Sequence, residues 1–166
     1  MSFEPLDELT PALKVMIRAK FLDKGLSKTA MQVRSQAKKN VMRKKYNGLV
    51  ISNTGDLAKS INSKKVKVHF YRITVTEPYG VYVHEGTRPH FPPFSPISKW
   101  VAKKLKKPKN PANYLITRAI QKNIAKYGTK AKPFLKDAME AEATEKKITE
   151  RIQVELIKEL SGSKEW

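Results

Sequence analysis

The chain has 166 residues, enough for one domain with a real core, and carries a net charge of +19 without a single cysteine. The missing thiol excludes disulfides, zinc–thiolate sites and thiol catalysis, and no run of 18 apolar residues exists to cross a membrane. Residues 1–136 hold 29 Lys/Arg against 7 Asp/Glu and residues 137–166 hold 5 against 8, so a basic body precedes a mildly acidic tail. Such a body suits a polyanion or an acidic protein surface, and the tail suits the basic body of a neighbouring copy. A Lys-rich coat kept for solubility is the plainer reading, since charge alone names no partner. The first residues, Met1-Ser2-Phe3-Glu4-Pro5, carry acid where a secretion signal needs positive charge.

The N-terminal third reads as helix. Thr10 is a suitable N-cap and Pro11 suits the first helical position. Leu13, Met16, Ile17 and Phe21 follow at helical spacing, and Gly25 is expected to bend or break the run. The pattern resumes through Leu26, Ala30, Val33, Ala37 and Val41. The other face carries Lys28, Arg34, Lys38, Lys39 and then Arg43, Lys44 and Lys45, which is a solvated side or a phosphate-binding stripe.

Asn47-Gly48 and Asn53-Thr54-Gly55 are turn signals, and alternation then runs to Glu85. Val66, Val68 and Phe70 share one parity, and Tyr71, Ile73 and Val75 share the other. The switch requires either a bulge or a tight hairpin near residues 69–71. Pro78 ends that strand, and residues 79–85 read as one more, with Val81 and Val83 alternating against Tyr82 and His84 until Gly86 stops it. A mostly antiparallel sheet of three to four strands is expected, packed with N-terminal, central and C-terminal helices in an α+β fold.

Pro89, Pro92, Pro93 and Pro96 make residues 87–96 a stiff, extended connection. Ser95-Pro96 opens a short helix carrying Ile97, Trp100, Val101 and Leu105. After the basic connector 106–109, Asn110-Pro111 opens the clearest helix, with a stripe of Ala112, Leu115, Ile116, Ala119, Ile120 and Ile124 and a stop at Gly128. Another helix starts at Pro133 with Phe134, Leu135, Ala138 and Met139. Ile148, Ile152, Leu156 and Leu160 then repeat every four residues, a seam suited to a partner chain or to the chain's own body.

No catalytic constellation is visible. His84, Glu85 and His90 are the only His/acid cluster, but Gly86 and Pro89 lie between the two histidines and His69 belongs to a different strand. The plainer reading is a strand end and a turn, with Glu85 pairing to Arg88 or capping backbone amides. The acids before residue 137 are not paired for general acid–base work, and the seven glycines are dispersed rather than forming a phosphate loop. No enzyme is expected.

Three segments carry a resemblance. The first is Thr54-Gly55-Asp56-Leu57-Ala58-Lys59-Ser60-Ile61. The second is Tyr79-Gly80-Val81-Tyr82-Val83-His84-Glu85-Gly86-Thr87-Arg88-Pro89-His90. The third is Gly128-Thr129-Lys130-Ala131-Lys132-Pro133-Phe134-Leu135. In this order, behind a basic N-terminal helix, they resemble the neck or tail-completion (head–tail joining) proteins of long-tailed double-stranded DNA phages. The motif residues are Thr54, Gly55, Leu57, Ser60, Ile61, Tyr79, Glu85, Gly86, Thr87, Gly128, Pro133, Phe134 and Leu135. The resemblance implies a ring-forming virion subunit of the neck, assembled in the host cytoplasm, with no cofactor and no reaction. It implies copies of itself, head-connector proteins and tail proteins as partners; a neck ring also encloses passing double-stranded DNA, which leaves phosphate contacts with it open, and no membrane is expected.

Residues 1–140 are expected to form the single α+β domain and residues 141–166 a helical extension. In that extension Ile148, Ile152, Leu156 and Leu160 are candidate oligomer contacts. The runner-up function is a basic nucleic-acid-binding protein without sequence preference. Residues 85–95 and 128–135 are expected to lie close together, with Trp100 and Phe134 buried.

Overall fold

A computed structural model describes residues 11–46, 48–51, 55–105 and 112–162. The cap at Thr10, the turn residues Asn47, Asn53 and Thr54, the basic connector 106–109 and the helix start at Asn110-Pro111 lie outside the described residues.

The spine is one helix, α1 (Pro11–Arg43), whose 33 residues span roughly 50 Å. Pro11 is its first described residue. Phe21, Ala30, Val33, Ala37 and Val41 are buried along one stripe, whereas Met16 remains outside. Gly25 does not break the helix. It sits where α7 (Glu145–Gly162) crosses, and a Cβ on it would lie 2.4 Å from Ile152 Cγ1. The bare backbone therefore serves close helix approach. Gly25→Ala is expected to cost about 1–3 kcal/mol through overpacking, although alanine is the better helix former. Adding Ile152→Ala should recover part of the loss in urea unfolding. A Gly25→Ala chain as stable as the parent would show that α7 does not rest there.

The chain leaves α1 through a two-residue antiparallel ladder, β1 (Lys45–Tyr46) with β2 (Leu49–Val50). A short helix, α2 (Asp56–Ser60), leads into the hairpin of β3 (Ile61–Lys67) and β4 (Phe70–Val75). The fold is α+β, but each sheet has two strands, not the three to four expected. The parity switch is both a bulge and a turn. Register shifts between Lys65 and Lys67, and His69 turns the corner at φ 59°. The Asp23 carboxylate accepts the His69 backbone N–H at 3.0 Å, which anchors that left-handed residue to α1. Val66, Val68 and Phe70 do not face a core. They occupy the exposed hairpin end, and Ile61, fully buried, carries β3's contact with the core.

Residues 79–85 are not a strand. They form α3 (Gly80–Glu85), with Gly80 buried and Val83 packed on the core from three residues on, while Val81 and Tyr82 point outward. Six residues are too few to separate a period of 2 from one of 3.6. The stiff proline segment then reaches α4 (Phe94–Leu105), which packs chiefly on α5 (Ala112–Tyr127). The last helices, α6 (Phe134–Glu142) and α7, return along α1. One core unites Val33, Ala37 and Val41 of α1 with Leu57, Ala58, Ile61, Phe134 and Ala138.

Two faces differ from expectation. Trp100 is 46% exposed, because Val101 is the residue of α4 that turns inward. The stripe of α5 is partly inverted. Ala112, Leu115, Ile116 and Ala119 are exposed, Ile120 and Ile124 are half-buried, and the fully buried positions are the polar Asn113, Thr117 and Gln121. The Pro92 carbonyl lies buried beside α5 and accepts Gln121 Nε2 at 2.8 Å, a bond no apolar residue could supply.

Candidate functional site

The described parts of the three motifs converge on that one core. In the first, Gly55 adopts φ 81° ahead of α2, a left-handed geometry natural to glycine. Leu57 and Ile61 then point into the core, and Ser60 Oγ donates to the Leu57 carbonyl at 2.8 Å. The turn signal at Gly55 thus leads into a single helical turn ahead of β3.

The second motif packs on the first. A Cβ on Gly80 would lie 2.7 Å from Val75 Cγ1 and 3.1 Å from Leu57 Cδ1, so α3 can approach only without a side chain there. Burial first, then the charges of Glu77 and Asp56, raise the Tyr79 hydroxyl pKa, although a Leu57 backbone hydrogen bond works the other way.

The second and third motifs are joined by backbone. Thr87 N–H donates to the Thr129 carbonyl at 3.0 Å and Thr129 N–H to the Thr87 carbonyl at 3.1 Å. The two threonine hydroxyls lie 3.0 Å apart. Lys132 N–H donates to the Val83 carbonyl at 3.0 Å. Both flanking glycines have positive φ, 77° at Gly86 and 70° at Gly128. A Cβ would come within 2.4 Å of the Thr129 carbonyl oxygen at Gly86, and within 2.0 Å of the Thr87 carbonyl oxygen at Gly128. Each glycine clears the strand-like crossing of the other motif. Pro133 then starts α6, Leu135 packs at the edge of the core, and Phe134 is buried against the His84 ring at 5.2 Å, edge to face. The expected closeness of residues 85–95 and 128–135 is therefore met.

The histidines do not gather. His84 lies against Phe134, His90 is exposed with Nδ1 2.9 Å from the Arg88 carbonyl, and His69 stands at the hairpin turn. Glu85 is exposed and makes no ion pair with Arg88. Among the described residues no group of three or more His, Asp or Glu could hold a metal ion. An open groove of about 750 Å³ lies beside the junction, lined by Tyr79, Tyr82, Arg88, Ile124 and Lys130 among others.

Charge is strongly segregated. Residues 86–136 contain 13 Lys/Arg and no Asp or Glu. Several acids of the C-terminal segment are engaged within the chain. Asp137 accepts Lys44 Nζ and the Tyr46 hydroxyl, each at 2.7 Å, Glu155 pairs with Lys28, and Glu142 pairs with Arg151 at 2.6 Å. The four-residue seam lies in α7, where Ile152 seats on Gly25 and Ile148 and Leu156 are half-buried. The Leu160 side chain is outside the described residues. Among the described side chains of α7, the exposed large apolar ones are Val154 and Ile157.

Burial opposes ionisation of Asp137, but Lys44 and Tyr46 outweigh it and hold its pKa below the ordinary value. Lys65, with the His69 amide, does the same for Asp23, and Lys28 for Glu155. The sign follows from linkage. A carboxyl with a lowered folded-state pKa stabilises the fold above its unfolded value and loses that contribution as pH falls through the folded one. The urea midpoint should therefore hold from neutral to about pH 4 and fall below it. Asp137→Asn should lower the plateau and flatten the acid limb, and an unchanged limb would mean that Asp137 is not paired.

Residues 7–86 match the model of the HK97-gp10-like family, described as "Bacteriophage HK97-gp10, putative tail-component". The match covers just under half of the chain and ends at Gly86, so it holds the first motif and most of the second, while the third lies beyond it. No curated protein and no solved structure matches the chain. Among the described residues no helix is long and apolar enough to cross a membrane. The N-terminal half is thus similar to a structural component of a phage tail.

Proposed function

We propose that this phage-tail-component-like chain is a non-catalytic virion subunit that forms a ring at the neck and joins the DNA-filled head to the tail. The observation that carries the reading is the similarity of residues 7–86 to a tail component. The ordered convergence of the motifs on one junction supports it. Head-connector and tail proteins would meet the two faces of the ring, and DNA would pass through it.

The test is a phage whose copy of this gene is inactivated, its lysate viewed by electron microscopy. Filled heads and finished tails should accumulate separately and should join when the protein is added back. Joined particles formed without it would end the proposal, and absent or misshapen tails would move its role into tail building.

A second reading, DNA binding without sequence preference, is favoured by the acid-free run of residues 86–136. In that case log affinity should fall linearly with log salt, with a slope of about 0.9 per neutralised phosphate. A salt-insensitive or sequence-selective complex would contradict it.

A further inference from the structure

We infer that the outward face of α5 is the seat for the outward face of α7 of a neighbouring copy, the two helices running antiparallel. The inference rests on the reading of the chain as a ring subunit.

The starting point is the partly inverted stripe. Leu115, Ala119 and Lys122 lie in one row on α5, at spacings of four and three residues, and all are exposed. Leu115 is 70% exposed on a helix whose fully buried positions are polar. The row thus offers an uncovered apolar end, Leu115 with Ala119, and a charge at the other end.

The complement is on the same chain. Read backward, α7 presents Ile157, Val154 and Glu150 at spacings of three and four residues, all exposed, on the side away from Ile152 and Gly25. Ile157 is 62% exposed. Leu115 and Lys122 are seven residues apart, and so are Ile157 and Glu150. Each helix therefore offers an apolar side chain and a charge separated by roughly 10 Å along its axis.

Direction decides the fit. Antiparallel docking sets Leu115 on Ile157, Ala119 beside Val154 and Lys122 opposite Glu150. Parallel docking sets Leu115 on Glu150 and Lys122 on Ile157, which buries both charges unpaired. Two α5 helices facing each other antiparallel set Lys122 against Leu115 and bring Arg118 of both copies close together. The charge sense agrees with the wider chain, since α5 lies within the acid-free run and Glu150 within the net-acidic tail. Lys146 and Lys158 flank the α7 row, so the Glu150 contact fixes the register.

The contact is heterologous, because each copy gives a different surface to each neighbour, as a closed ring requires. The α7 side is presented already ordered, held to α1 by the Lys28–Glu155 pair and by Ile152 on Gly25.

The native chain has no cysteine, so introduced thiols report alone. Virions are grown with Leu115→Cys and Ile157→Cys in one chain. They are treated with a short bis-maleimide, because packed helices lie about 8–10 Å apart, beyond disulfide reach. Both sites are exposed, so the fold should tolerate the changes. A ladder of covalent multimers of this chain is expected. Lys122→Glu should reduce the cross-linked fraction by about tenfold or more, and Glu150→Lys in the same chain should restore it. Dimers from Leu115→Cys alone would overturn the inference in favour of a two-fold contact. Joined particles that contain the chain but give no ladder would overturn it and leave the neck reading standing. Joined particles without the chain would end the neck reading, and this inference with it.

Discussion

Gly128→Ala is expected to destabilise the chain by about 3 kcal/mol or more, lowering Tm by roughly 10 °C for a chain of this size. Two costs act together. The position has φ 70°, where a side chain is strained, and the new Cβ would fall 2.0 Å from the Thr87 carbonyl oxygen. That oxygen accepts the Thr129 amide, so relieving the clash breaks the bridge between motifs. Gly48→Ala is the control, because Gly48 shares the positive φ, 79°, but has open space around it. It should cost about 1 kcal/mol. Thermal unfolding of both variants checks the contrast, and equal losses would show that conformation alone, not the crossing, demands glycine at 128.

Phe134→Ala should cost about 3–5 kcal/mol. The ring is 1% exposed and lies in one core with Leu57, Ile61 and Val41, so alanine leaves a cavity bounded by three separate parts of the chain. The backbone beside it has its own tie, since the Phe134 carbonyl accepts Asn40 Nδ2 at 2.9 Å inside the same core. The surroundings are therefore poorly placed to collapse. Trp100→Ala should cost about 1 kcal/mol or less despite the larger side chain, because Trp100 lies mostly at the surface. Urea unfolding gives both numbers, and a larger loss at Trp100 would mean that α4 is seated the other way round.

The long helices were legible because their periodicity persists over many turns, and Pro133 and Gly128 mark ends by their own backbone chemistry. The glycines of the junction could be singled out as motif residues, but the reason for them could not. Gly86 and Gly128 are 42 positions apart, and only the fold shows that each clears the backbone beyond the other. Residues 79–85 were misread because Val81-Tyr82-Val83 alternates, while the inward pair Gly80 and Val83 is three apart and one member has no side chain. The face of α5 was misread for a different reason. Apolar spacing marks a helix and a stripe, but it does not say whether the stripe meets this chain or another. The signal for the most buried face was Asn113, Thr117 and Gln121, also at four-residue spacing, and the place of Gln121 in it makes sense only once Pro92 is known to need a donor.

The closure of the core on α1 sets a timetable for synthesis. Val33, Ala37 and Val41 are covered in part by Phe134 and Ala138, which are translated about a hundred residues later. At a translation rate of about 5–20 residues per second, the N-terminal helix waits roughly 5–20 s for that cover. Through that interval its apolar stripe is open to the ribosome exit and to chaperones. The groove and the junction beside it cannot exist until Gly128 and Thr129 have emerged. A nascent chain therefore carries its N-terminal elements for seconds before the junction that ties the motifs together can form.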